Sequence, residues 1–178
     1  MIVAKQVADF ITYTRLLLLI VFIWLGLAYG ADGLPLAALI MIYSWTSDSI
    51  DGTLARRSSR VYHTWIGDHD LEVDMLVSIG LFIYMLLAGF LSTSAGGLYL
   101  AGWLVLFLFL GFYKSLGMAF QAPIYGWFLW VAILNAPPYG LAMVAWILAA
   151  LAITWPRFPN EVVPGFLGGF RPIGRKQR

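Results

Sequence analysis

The chain predicts an all-α, polytopic integral membrane protein with six transmembrane helices, preceded by a short amphipathic interfacial helix. Three observations carry that fold class. Of 178 residues, 61% are hydrophobic and only 11% charged, whereas a soluble domain carries roughly 25% charged residues. Apolar runs near the length that a bilayer demands, about 20 residues each, recur from end to end with turn chemistry between them. The basic residues separate cleanly onto one side of a six-span arrangement.

The first dozen residues place Ile2, Val3, Val7, Phe10 and Ile11 among Lys5, Gln6 and Asp9. That pattern predicts an amphipathic helix over 1–13, lying on the inner leaflet. No small-residue cleavage site follows, so the segment is expected to stay as structure and not be removed as a signal peptide. Six spans are predicted near 14–31, 34–56, 70–91, 97–113, 117–135 and 137–155. The breaks carry turn residues: Gly30–Ala31–Asp32–Gly33, Ser92 to Gly97, and Asn135–Ala136–Pro137–Pro138. Between the fourth and fifth spans, Lys114, Gly117 and Pro123 leave the division open. After Trp155, prolines, glycines and five basic residues predict an irregular cytoplasmic tail over 156–178. The whole, 1–178, reads as one domain with a six-helix bundle over 14–155. With no cysteine, neither a disulfide framework nor a cysteine–zinc site is possible.

Charge orients these spans. Lys5 and Arg15 precede or open span one, Arg56, Arg57 and Arg60 fall between spans two and three, Lys114 between four and five, and the remaining five follow span six. The loops after spans one, three and five carry none. An even number of spans with every Lys and Arg on one side predicts both termini in the cytoplasm. Trp24, Tyr62, Trp65 and Trp155 lie near span ends, where amphipathic rings anchor at the interface.

Six of the nine acidic residues crowd into 48–74, at the inner boundary of spans two and three. Intramembrane or boundary acids are costly and usually functional. Asp48 and Asp51 are three apart, and Asp70 and Asp74 four apart, so each pair shares a helix face. A connection of about a dozen residues makes these two helix ends neighbours and brings the four acids toward one point. Unaccompanied they would repel; a hard divalent cation with oxygen ligands, magnesium or manganese, relieves that and also engages phosphate. Gly52 and Ala55 are small enough to leave room for a bulky group, and Arg56 offers a planar cation for phosphate oxygens. Asp68 and Glu72 fall on the other side of the wheel and suit a helix N-terminus instead.

Asp48-x-x-Asp51-Gly52-x-x-Ala55-Arg56, followed by Gly67 and Asp70-x-x-x-Asp74, resembles the signature of the CDP-alcohol phosphatidyltransferases, D-x-x-D-G-x-x-A-R and then G-x-x-x-D-x-x-x-D. One departure is visible: Gly67 stands three residues before Asp70, with Ile66 at the family's glycine position. Asp9-Phe-Ile-Thr12-Tyr-Thr-Arg15 is similar to the family's N-x-x-T-x-x-R segment, with Asp for Asn. The resemblance implies six membrane helices behind an amphipathic one. It implies Asp48, Asp51, Asp70 and Asp74 around magnesium or manganese, with Asp74 also the base for an acceptor hydroxyl. Gly52, Ala55, Arg56 and Gly67, with Asp48 and Asp70, would border the cytidine diphosphate of a CDP-linked lipid donor. The implied reaction transfers a phosphatidyl-type group to an alcohol and releases CMP, in a homodimer among membrane lipids, with no nucleic-acid partner.

Lys114 is the candidate for the basic segment that family members often carry before the fifth span, against a lysine that merely snorkels to the interface. His63 and His69 lie near the acids as candidate acceptor-side groups. Three other readings compete: an intramembrane prenyltransferase, a cation channel or transporter, and an inactive family member. Prenyltransferases have more spans and widely separated motifs; a channel would not confine its acids to one boundary. The acceptor alcohol is not specified by the signature.

Overall fold

The computed structural model describes residues 2–57, 70–156 and 158–168. Side chains are described over 14–50, 71–156, 158–160 and 163–168. All regular structure among these residues is helical: α1 (Ile2–Tyr29), a 3-10 turn (Gly30–Gly33), α2 (Leu34–Arg57), α3 (Asp70–Leu87), α4 (Thr93–Leu110), α5 (Lys114–Asn135), α6 (Pro137–Thr154), a π turn (Phe158–Val162) and α7 (Val163–Gly168). Four described stretches are long and apolar enough to cross a membrane: Thr14–Ile50, Thr93–Leu110, Lys114–Asn135 and Pro137–Thr154. The first, 37 residues long, contains most of α1 and α2 and folds back on itself at the 3-10 turn. α3 falls outside this group because Asp70, Glu72 and Asp74 occupy its first five positions.

The boundaries follow local chemistry. α1 runs unbroken from Ile2, so the separate amphipathic helix expected over 1–13 is not a distinct element. No glycine or proline interrupts the chain before Gly26, and nothing local ends the helix at residue 13. Ser92 caps α4 by accepting from the Ala95 N–H at 3.2 Å. The division between α4 and α5 falls at Gly111–Tyr113, where Gly111 takes φ 77°, a conformation that favours glycine. Pro123 does not divide anything; it lies inside α5. Pro137 and Pro138 start α6, where a fixed φ and a missing N–H cost little. The expected irregular tail contains the short α7, and its basic end, 169–178, lies outside the described residues.

Helical periodicity sorts inside from outside. On α1, Arg15, Leu18, Phe22 and Leu25 are buried, whereas Leu17, Ile20, Trp24 and Leu27 are exposed. On α2 the inner face is Leu34, Ala37, Ala38, Met41, Ser44 and Ser47; on α3 it is Val73, Val77, Ser78, Leu81, Tyr84 and Met85. Many inner positions are small, which lets apolar helices approach closely. Gly80 shows how closely: a Cβ there would lie 2.8 Å from Leu19 Cα, and one at Gly26 would lie 2.9 Å from Leu87 Cβ. These two contacts keep one register, each pairing a residue with the one 61 positions on, so α1 and α3 run parallel. α2 returns antiparallel to α1, and α5 and α6 form a second tight hairpin through Ala136. α4 packs more loosely, through Tyr99 stacked on Phe82 at 5.7 Å and Trp103 edge-on to Phe120. The large apolar side chains left outside on α1, α4 and α6 suit lipid better than water.

Candidate functional site

The α1–α2 hairpin sets the geometry of the site. Arg15 lies 15 residues before the turn that begins at Gly30, and Asp48 lies 15 residues after its end at Gly33. At a rise of about 1.5 Å per residue, both stand roughly 22 Å from the turn and therefore level with one another. The parallel α1–α3 register then brings in Asp74, near the position opposite Arg15. The three charges consequently share one layer without being near in sequence.

Arg15 has a side chain only 2% exposed. Its Nη1 donates to Asp48 Oδ1 at 3.1 Å, and its Nη2 to Asp74 Oδ1. One guanidinium thus bridges carboxylates on two different helices, as its fork geometry allows. The acids are less enclosed, with side chains 46% exposed at Asp48 and 27% at Asp74. Burial in this layer is therefore greatest at Arg15 and least at Asp48.

Neighbouring residues complete the wall. The Tyr125 hydroxyl of α5 lies 3.4 Å from both the Asp74 carbonyl and Gln121 Oε1. Tyr125 also meets Trp45 edge-on, with centroids 6.0 Å apart. Trp45 packs against Trp146 of α6, whose Nε1–H donates to Thr46 Oγ1 at 2.9 Å. On the other side Thr14 and Tyr43 share a hydroxyl–hydroxyl hydrogen bond of 3.0 Å. Gly117 of α5 faces Leu71 and Met75 of α3, so the N-terminal ends of these helices lie side by side. Exposed Lys114, the first residue of α5, therefore stands at the same end of the bundle as the acids.

Of the sequence-predicted residues, the structure brings together Asp48 and Asp74. Asp51, Gly52, Ala55 and Arg56 continue α2 over its last two turns, and Asp70 begins α3; the placement of their side chains lies outside the described residues. Gly67, Asp68, His63 and His69 lie outside them altogether. Among the described residues no group of three or more acidic or histidine side chains is assembled. The donor chemistry of Asp48 and Asp74 fits a hard cation: both offer carboxylate oxygens toward one shared positive charge, which in this structure is Arg15.

Arg15 is the residue whose role spacing could not reveal. It was visible as an ionisable group on a buried helical face, with Leu18, Phe22 and Leu25 following at helical intervals, and that marks an intramembrane charge in need of a partner. That Asp74 is one of its partners depends on the α1–α3 register, marked by the close approaches at Gly80 and Gly26. Tyr125, Gln121 and Trp45 had no distinguishing signal within apolar helices. Compared with protein-family models, curated proteins and solved structures, the chain finds no match.

Proposed function

We propose that this chain is a membrane-embedded CDP-alcohol phosphatidyltransferase, moving a phosphatidyl-type group from a CDP-linked lipid to an alcohol with release of CMP. The observation that carries the reading is the meeting of Asp48 and Asp74. They are the first and last acids of the spaced signature, they lie on different helices, and they converge on one cation at one end of an apolar bundle. Neither their sequence separation nor simple burial of charge requires that.

The topology proposed is six spans, α1 to α6, with both termini and the acid-bearing ends in the cytoplasm. Separation of Lys and Arg onto one side supports it, and the first three turns of α1 then project from the span on that side. A lipid donor keeps its chains in the bilayer while its nucleotide and the polar acceptor meet at the inner surface. Asp48 and Asp74, with Asp51 and Asp70 from the same signature, would hold magnesium or manganese, which supplies neutralisation of phosphate charge. Gly52 and Ala55 leave space for the nucleotide along α2, and Arg56 offers its cation to phosphate oxygens. The acceptor hydroxyl oxygen forms the new bond to the lipid-linked phosphorus, the bond from that phosphorus to CMP breaks, and the hydroxyl proton passes to the Asp74 carboxylate. CMP leaves with the electron pair of the broken bond. A homodimer is part of the proposal through the resemblance alone.

One observation favours a second reading. Arg15 satisfies both acids, as a structural brace in an inactive family member would. Purified full-length protein in lipid nanodiscs, given CDP-diacylglycerol, magnesium or manganese and a panel of alcohols, separates the two. The transferase releases CMP in a manner lost with chelator and in Asp74→Asn. A folded protein that releases none with any acceptor is the brace.

A further inference from the structure

Toward the end of the bundle away from the acids, α4 stands off from its neighbours. Its approach to α5 runs through rings, with Tyr99 and Trp103 each meeting Phe120 at centroid distances of 5.7 Å. Only at buried Gly96 does it come close to α3, where a Cβ would lie 2.8 Å from Leu86 Cδ2. This leaves a cavity of about 250 Å³ between α3, α4 and α5. We infer that the cavity binds one acyl chain of a phospholipid whose headgroup sits at the α3–α4 turn, in the leaflet opposite the acids. The inference rests on the membrane-spanning reading of these helices and not on group transfer.

The wall defines the ligand. Phe82, Met85 and Ile124 form a buried floor, and Ala95, Pro123 and Trp127 an exposed rim. The wall carries two side-chain N–H or O–H donors, and both are engaged within the chain. The Tyr99 hydroxyl donates to the Phe120 carbonyl, and the Trp127 Nε1–H to the Phe90 carbonyl at 3.2 Å. A polar ligand group would be left without a partner there, at a cost that hydrocarbon does not incur. The space exceeds the roughly 150 Å³ apolar cavity that takes up benzene. Ala95 and Tyr99 are one turn apart on α4, and Pro123 and Trp127 one turn apart on α5, so the cleft runs along the helices as lipid chains do. At its outer end stand the exposed Ser92 and Ser94 hydroxyls, 3.3 Å apart, and the Trp127 indole, a ring suited to headgroup depth. Hydroxyls above hydrocarbon match the order of groups in a phospholipid. Phe82 and Met85 lie 8 and 11 residues beyond Asp74, about 12 and 16 Å along α3 at a rise of about 1.5 Å per residue. A lipid seated at the acids would therefore reach the cavity tail first, whereas one seated at the turn enters from the rim.

The test uses full-length protein in nanodiscs doped with either of two phosphatidylcholines, one carrying a diazirine near the headgroup and the other at the chain end. After irradiation, modified residues are mapped by peptide mass spectrometry. The chain-end probe is expected to modify Phe82 and Ile124, which are buried from lipid beside the bundle, and the headgroup-proximal probe to modify Leu91 at the rim. Ala95→Trp, which blocks the rim, is expected to abolish modification of Phe82 and Ile124 while lipid-facing Leu104 and Leu108 stay labelled. Ile124→Phe fills the floor instead and serves, read at Phe82, should Ala95→Trp fail to fold. Gly97→Trp puts the same bulk where a Cβ meets open space and is expected to change nothing. Floor labelling that is absent, or unaltered by the blocking variants, overturns the site. The reverse order, with the chain-end probe at Leu91 and the headgroup-proximal probe at Phe82, overturns entry from the turn and gives the cavity to a lipid seated at the acids. Labelling in the expected order by protein that releases no CMP leaves this site standing while the transferase reading falls.

Discussion

Along the inner faces of α1, α2 and α3, two layers only a couple of turns apart are built from opposite materials. One holds Arg15, Asp48 and Asp74; the next holds Phe22, Tyr84 and, from α5, Phe128, each fully buried and in tilted or edge-on ring contact. The aromatic layer is what close packing of apolar helices requires, since lipid offers no hydrophobic drive for helices to associate. Nothing about packing requires the charged layer, and replacing a buried ion pair by apolar groups of similar size is often neutral or stabilising. A layer of three charges where methylenes would serve is what the proposed group-transfer reading expects.

That contrast can be broken in four ways, from the largest effect downward. Asp74→Asn should cut CMP release by about 10²- to 10⁴-fold, the range for loss of a general base, while its unfolding midpoint in chelator changes little by comparison; chromatographic quantification of CMP measures the first. Phe22→Ala should cost about 3–5 kcal/mol of stability through the cavity it leaves, read by unfolding in mixed micelles, with the chemistry of the remaining folded fraction preserved. The combined variant Arg15→Met, Asp48→Leu and Asp74→Leu should abolish activity yet fold at least as stably as wild type, with a gain of up to about 4 kcal/mol; a large loss instead would make the charged layer a structural brace. Trp146→Phe removes the donor to Thr46 and should cost only about 1 kcal/mol, a small shift in the same unfolding assay.

Much of the architecture was legible in composition and periodicity. Alternation of Leu18, Phe22 and Leu25 with Leu17, Ile20 and Trp24 announces which face of α1 is inward, and the glycine and proline clusters mark the helix ends within a few residues. The start of the chain was misread because an amphipathic pattern over 1–13 says nothing about whether a helix stops at residue 13; only a breaker would, and none is present. Pro123 was ambiguous for the opposite reason, since a breaker in sequence can be absorbed where neighbouring groups take up the freed carbonyls. In the candidate site, the local three- and four-residue intervals pair Asp48 with Asp51 and Asp70 with Asp74, and the approach of Asp48 to Asp74 was expected from the short connection between their helices. Arg15 as their common partner was not legible, because its meeting with Asp74 depends on the α1–α3 register seen in two long-range contacts, Gly80 on Leu19 and Gly26 on Leu87.

The central claim is group transfer at the charged layer, and phosphorus-31 spectra of the lipids themselves test it most directly. In nanodiscs holding CDP-diacylglycerol, wild-type protein, manganese-free magnesium and the alcohol panel, the two pyrophosphate resonances should give way to one lipid phosphodiester and one CMP phosphate, and should persist with Asp74→Asn. Pyrophosphate resonances that persist with folded wild-type protein and every acceptor would contradict the account.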